Sequence, residues 1–167
     1  HFAAVLDCSE VGEILRRAER IDACSGVKRA HNLLVFCMQR IGEIVGADWN
    51  EFDLQRGIWS IPRERMKRRD AERGAHLVPL PPMLLARIRE WRRVDGDKAT
   101  YVCPAPRQPK VNITREAVEK FYRRTLELAN KHSPHSWRSV FSTIARDAGK
   151  DPDLVEAQLD HVVGTKV

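Results

Sequence analysis

The 167-residue chain has little of several things that would have pointed elsewhere. Its four cysteines, Cys8, Cys24, Cys37 and Cys103, form no CxxC pair and none lies near a histidine at zinc-ligand spacing. This usage predicts a reducing compartment and neither a structural metal nor another cofactor. Cys37 sits in an apolar run and is expected to pack as a small hydrophobe. The longest apolar stretch, Leu33 to Met38, is far too short to span a bilayer, so no membrane partner is expected. The opening at His1 has no initiator Met and no signal-peptide pattern, and it reads as part of a longer protein. Internal repeats and low-complexity segments are also missing. Aromatics make up only 7 % of the chain, and just two of them, Tyr101 and Tyr122, are tyrosines.

What is present suits one domain. Hydrophobic residues make up 43 %, enough for a core, and charged residues 31 %. The net charge of +6 favours a polyanionic partner, of which nucleic acid is the commonest.

Periodicity predicts a helix capped by Ser9 and running to about Arg20, with Val11, Ile14, Leu15 and Ala18 on one stripe. A second, buried helix is expected from about Val27 to Gln39. Gly42 and Gly46 bracket a short helical turn, with Trp49, Phe52 and Leu54 covering the core beside it. Ile58–Ile61, closed by Pro62, and Leu77–Leu80 read as two short strands around a charged loop, hence a β-hairpin. Pro79 confines the second strand to an edge or an end. An amphipathic helix follows over Met83–Arg93, then a third short strand at Tyr101–Cys103 and an irregular loop through Pro104, Pro106 and Pro109. Thr114 starts a helix to about Asn130, whose apolar stripe buries Tyr122. Ser136–Ala148 and a helix opened by Asp151-Pro152 complete the chain. The expected fold is mainly α with a small antiparallel β-hairpin or sheet.

Four local signals carry chemistry. Arg40 emerges from the buried helix in Arg40-Ile41-Gly42-Glu43 and needs an anion, which could be Glu43 or a bound phosphate. In the loop Arg63-Glu64-Arg65-Met66-Lys67-Arg68-Arg69, six of seven residues are charged and five of those are basic. Such a tip can be a solvated loop, or can enter a DNA groove and deliver Lys67 to a phosphate. His135 and Arg138, in His135-Ser136-Trp137-Arg138, share one face at a helix start and can grip a phosphoryl oxygen. The last signal, Leu159-Asp160-His161, places a histidine 23 residues after Arg138.

The order of these signals resembles the catalytic domain of tyrosine recombinases of the phage-integrase type. Ile61 to Lys67 and Trp49 to Leu54 are especially similar to integrases of prophages and genomic islands, and the likeness covers essentially the whole chain. The resemblance implies that Arg40 and Arg138 are the two catalytic arginines and Lys67 the hairpin lysine. It assigns His135 to the HxxR histidine and His161 to the histidine preceding the nucleophile. Arg63, Arg65, Arg68 and Arg69 would contact DNA, while Gly42 and Glu43 match structural positions.

The implied activity is site-specific recombination of double-stranded DNA at attachment sites, through a 3′-phosphotyrosyl linkage, by a tetramer assembled on DNA. No cofactor or metal is implied, and the compartment would be the bacterial cytoplasm, at the nucleoid. Residues 1–167 would be one catalytic domain lacking both the preceding DNA-binding domains and the nucleophilic tyrosine. In similar integrases that tyrosine lies shortly beyond the last histidine, whereas this chain continues only six residues past His161. Two further departures are a somewhat long loop between Lys67 and Leu77, and Cys37-Met38-Gln39 where the family often has Thr-Gly-x. The alternatives are a non-catalytic DNA-binding module from a decayed integrase, a type IB topoisomerase-like domain, and a helical protein-interaction domain with an incidental basic face.

Overall fold

The computed structural model describes residues 4–66, 72 and 74–161. Helix α1 (Cys8–Arg20) presents Ile14 and Ala18 to the core. Its cap is Asp7 rather than Ser9: the Asp7 carboxylate accepts from the amides of Ser9 at 2.9 Å and Glu10 at 3.0 Å. An acceptor one residue ahead of the first turn reaches the orphan N–H groups, and the Ser9 position is already helical.

Helix α2 (Ser25–Cys37) runs through the centre, with Ala30, Leu33, Leu34 and Cys37 fully buried. Each buried leucine contributes roughly 2 kcal/mol by leaving water. Burial pushes the Cys37 thiol far above its ordinary range, so it behaves as the expected small hydrophobe. The helix stops two residues before Gln39 because Met38 turns left-handed, with φ 55°. Helix α3 (Ile41–Val45) follows at once.

The predicted hairpin is present and gains a strand. β1 (Phe52–Asp53), β2 (Ile58–Ile61) and β3 (His76–Pro79) form an antiparallel sheet in that order. Ile61 pairs with His76 and Ile58 with Pro79, so β3 starts one residue earlier than expected. Trp59, Ile61 and Val78 face the core while Leu77 faces solvent, the period-two alternation of a half-covered sheet. Pro79 falls on the last rung of an outer strand, where a missing N–H does least damage.

Helix α4 (Pro82–Asp95) buries Leu84 and Ile88. The strand expected at Tyr101–Cys103 is not formed. Tyr101 makes only an isolated bridge with Asp48, flanked by bonds from Val102 N to Ala47 O and Trp49 N to Thr100 O. The paired strands are instead β4 (Pro104–Ala105) and β5 (Gln108–Asn112), so the proline-rich loop is itself a small hairpin.

Thr114 caps α5 (Arg115–Lys120) through the Ala117 amide at 3.2 Å. This helix does not reach Asn130. A widened π turn over Phe121–Thr125 unwinds it, and Glu127 and Asn130 then take positive φ angles. Helices α6 (Ser136–Asp147) and α7 (Pro152–Gln158) close the described chain, α7 capped by Asp151 as expected. Ala145, Val155 and Leu159 form a small apolar cluster of their own with Met38 and Phe141. That cluster seats the C-terminal helices on the turn that ends α2. Among the described residues no helix is long and apolar enough to cross a membrane.

Candidate active site

The left-handed turn at Met38 sets the site. It leaves a carbonyl facing away from α2 and turns Arg40 out of the core onto the start of α3. The Arg40 amide donates to Glu43 Oε2 at 2.9 Å, and its Nη1 meets Glu43 Oε1 at 3.2 Å. Glu43 is fully buried, so the pair supplies the anion that Arg40 required. Asp160 Oδ2 is 3.8 Å from the same Nη1. The Arg40 side chain keeps 22 % of its surface exposed, so it still faces solvent with both carboxylates behind it.

Arg138, from the first turn of α6, is buried, and its guanidinium spans the gap between distant segments. Nη1 donates to Met38 O at 2.7 Å and Nη2 to Leu159 O at 2.5 Å, with His161 Nε2 3.0 Å from Nη2. One planar fork thus joins the end of α2 to the end of α7. Burial, helped by the charge of Arg40, lowers its pKa to about 10, which still leaves it protonated at neutral pH.

His161 lies just beyond α7. Its Nδ1 is 2.6 Å from Glu156 Oε2, and Glu156 Oε1 accepts from Arg146 Nη2 at 2.6 Å. The bond to His161 is the leading cause that holds the Glu156 carboxyl below the usual range. His135 is exposed at the N-cap of α6.

Three depressions meet at His135, and two of them also carry the other predicted site residues. One, of about 450 Å³, is bordered by Arg40, Gly42, Arg65, Arg115 and His135. The other, of about 280 Å³, is bordered by His135, Arg138, Arg146, Glu156 and His161. The structure therefore brings together four of the five predicted catalytic residues. The fifth, Lys67, lies outside the described residues, as do Arg68 and Arg69.

Arg63 and Arg65 depart from the expected exposed loop tip. Arg63 is buried: Nη1 meets Asp160 Oδ1 at 2.7 Å and Nε donates to Gly74 O at 2.5 Å. Its charge is neutralised inside the protein, so it is not a surface cation. Burial would raise the Asp160 carboxyl, but the bond and charge of Arg63, with His76 and Arg40, outweigh this and hold it low. Arg65 forms a fork-to-fork pair with Glu51, both contacts 2.7 Å, and borders the larger depression with its remaining edge.

Sequence reasoning missed Arg115. Its guanidinium lies so close over Gly42 that a Cβ there would collide with it. Only the cap at Thr114 marked its position, and a cap says nothing about what the next side chain faces. Asp160 and Glu156 were missed too, because their partners are far away in sequence or on the next turn of a helix.

Comparison with known proteins agrees with this geometry. The model of the phage integrase family matches residues 4–167. Prophage integrase IntA of Escherichia coli (strain K12) is 32 % identical over 124 residues, covering 74 % of this chain and 28 % of the relative. Prophage integrase IntZ of the same strain is 27 % identical over 160 residues, covering 95 % and 38 %. The chain thus spans well under half the length of these relatives. Among solved structures, XerA recombinase superposes with a TM-score of 0.73 at 16 % identity, covering 97 % of this chain and 56 % of that one. A lambda integrase dimer bound to a COC′ core site gives 0.70 at 15 % identity, covering 99 % and 47 %. Both show the same fold. With a family model matching residues 4–167, and with Arg40, His135, Arg138 and His161 bordering two depressions that share His135, the chain belongs to the phage integrase family.

Proposed function

We propose that residues 1–167 are the catalytic domain of a site-specific tyrosine recombinase, which breaks and rejoins duplex DNA through a 3′-phosphotyrosyl intermediate. One observation carries this reading: Arg40, His135, Arg138 and His161, from three separate stretches of chain, border two depressions that share His135. Cleavage must stabilise a pentavalent phosphorus with extra negative charge. Arg40 and Arg138 would clamp its non-bridging oxygens, as planar guanidiniums do well. His161 would add a hydrogen bond. Lys67 would protonate the departing 5′ oxygen, and His135 would assist proton removal from the attacking tyrosine. The phosphotyrosyl bond conserves the energy of the phosphodiester, so rejoining needs no ATP.

The attacking tyrosine is not one of the two in this chain. Tyr122 is buried, its hydroxyl bonded to Trp137 Nε1 at 2.6 Å and His31 Nδ1 at 2.7 Å, and burial raises its pKa far beyond the ordinary phenol range. Tyr101 is held in the bridge to Asp48 and borders neither depression.

Duplex attachment sites are the natural substrate of such a site, acting in the cytoplasm where the nucleoid lies. Assembly into a tetramer on DNA is supported by a lambda integrase of the same fold solved as a tetramer on a Holliday junction. Arg68 and Arg69 would add phosphate contacts beside Lys67. The test is covalent adduct formation on a nicked suicide duplex by the protein with its native flanking sequence. Arg40→Ala and Arg138→Ala are each expected to lower adduct formation roughly a hundredfold. Undiminished adduct in both would refute the assignment.

A further inference from the structure

We propose that Glu156 holds His161 as the Nδ1–H tautomer and that His161 takes up a second proton when a phosphate oxygen enters the site. This rests on the reading of the cleft as a phosphodiester site.

The argument is a count of protons. Glu156 Oε2, 2.6 Å from Nδ1, can only accept when ionised. Arg138 Nη2, 3.0 Å from Nε2, can only donate. A neutral imidazole satisfies both neighbours in one way, with its proton on Nδ1 and its lone pair on Nε2. The three side chains therefore close on one another, Arg138 donating to His161 and His161 to Glu156. The bond to His161 first, and then Arg146 at 2.6 Å from the other oxygen, hold the Glu156 carboxyl low, and Arg146 fixes its position.

A phosphate oxygen is also only an acceptor. For His161 to donate to it through Nε2, that nitrogen must carry a hydrogen. Moving the proton across the ring would leave a bare Nδ1 facing a carboxylate at 2.6 Å, two lone pairs in contact. Gaining a proton from solvent keeps the Glu156 bond and makes Nε2 a donor to phosphate, with Arg138 Nη2 giving up Nε2 and turning to the same anion. The His161 side chain is 44 % exposed, open to the water that supplies the proton. The new positive charge is matched by Glu156 on one side and by the incoming anion on the other. The remaining charged and titratable neighbours are Arg138 and Arg146 on α6, His135 across the opening, and Asp160, whose carboxylate is engaged by Arg63. Glu156 is thus a positioning residue: it acts on phosphate through His161.

Two measurements on this chain test the proposal. In mildly alkaline buffer without DNA, long-range proton–nitrogen NMR of the imidazoles is expected to show His161 protonated at Nδ1 and bare at Nε2. The Nε2–H tautomer, or a doubly protonated ring, would overturn the proposal, and this holds whether or not the chain binds DNA. Calorimetric titration with a duplex oligonucleotide of arbitrary sequence, in buffers of different ionisation enthalpy, then counts protons. Net uptake is expected, with affinity weakening by up to about tenfold per pH unit for one linked proton. In Glu156→Gln, whose amide can donate to a bare Nδ1 as well as accept from Nδ1–H, the neutral Nε2–H tautomer becomes available, so uptake should be lost and the pH dependence flattened. Uptake that survives in Glu156→Gln but disappears in His135→Gln would assign the proton to the wrong histidine for this proposal. Binding without uptake would refute the linkage while leaving the catalytic reading intact. No binding even at low salt would count against the catalytic reading itself, with the tautomer still decided by NMR.

Discussion

Arg63 and Asp160 are 97 residues apart in sequence and 2.7 Å apart in space, and both are buried. Arg63 also holds Gly74 O, 11 residues further along the chain, and Asp160 stands between Leu159, whose carbonyl binds Arg138, and His161. One ion pair therefore ties Arg63, just after β2, to the site. Removing one partner of a buried pair leaves the other as an uncompensated charge. Asp160→Ala is expected to destabilise the domain by about 3 kcal/mol in urea unfolding. Asp160→Asn should cost less, since asparagine still offers an acceptor and tolerates the φ of 50°. Equal stability of Asp160→Ala and the native chain would show that the pair contributes nothing.

Acid should weaken the fold through two histidines. Burial lowers His31 to about 4 from an ordinary value of 6.5, and burial does the same to His132. Between those values the unfolded chain binds protons that the folded chain does not, so stability falls as pH drops from about 6.5 towards about 4. The combined loss is on the order of several kcal/mol. Urea midpoints across this range measure it, and His31→Gln or His132→Gln should flatten the profile. A midpoint constant through the window would contradict the assignment.

Duplex binding by this chain should be weak, indifferent to sequence and steeply salt-dependent, because contacts from such a domain fall mainly on phosphates. Arg115, over Gly42 at the edge of the larger depression, is expected to contribute one of them. Arg115→Ala should reduce the slope of log affinity against log salt by about one, read by fluorescence anisotropy. An unchanged slope would remove Arg115 from the interface.

The 167-residue chain itself should form no covalent adduct with a nicked suicide duplex. Its buried phenol, Tyr122, is neither ionisable at neutral pH nor open to a phosphate, and Tyr101 borders neither depression. Denaturing gels detect an adduct directly. An adduct mapped to either residue would overturn the view that the nucleophile lies outside this chain.

Much of the architecture was legible beforehand because it depends on local periodicity and chain punctuation. The stripe of α1, the apolar run of α2, the strand at Ile58–Ile61 and the caps at Thr114 and Asp151 follow from residues within a turn or two. The order of Arg40, the charged loop, HxxR and LxH was equally visible, since motif order is a property of the chain. Where local signals competed, the reading slipped: Asp7 outranked Ser9 as a cap, and the segment around Tyr101 spent its backbone bonds on residues 47–49 instead of a ladder. Helix α5 widened into a π turn that its apolar spacing did not announce.

The sequence by itself determined a mainly helical domain with a small sheet, the family resemblance, and which arginines and histidines to watch. Only the tertiary structure decided what each charge faces. Arg63 and Arg138 are both arginines in basic or mixed surroundings, and nothing in their neighbours says that one is neutralised by Asp160 and the other spans two helix ends. Burial and long-range pairing arise when segments 21 to 100 residues apart are brought together. The partner of a charge, the tautomer of an imidazole and the close approach of Arg115 to Gly42 are properties of that assembly, not of any stretch of chain.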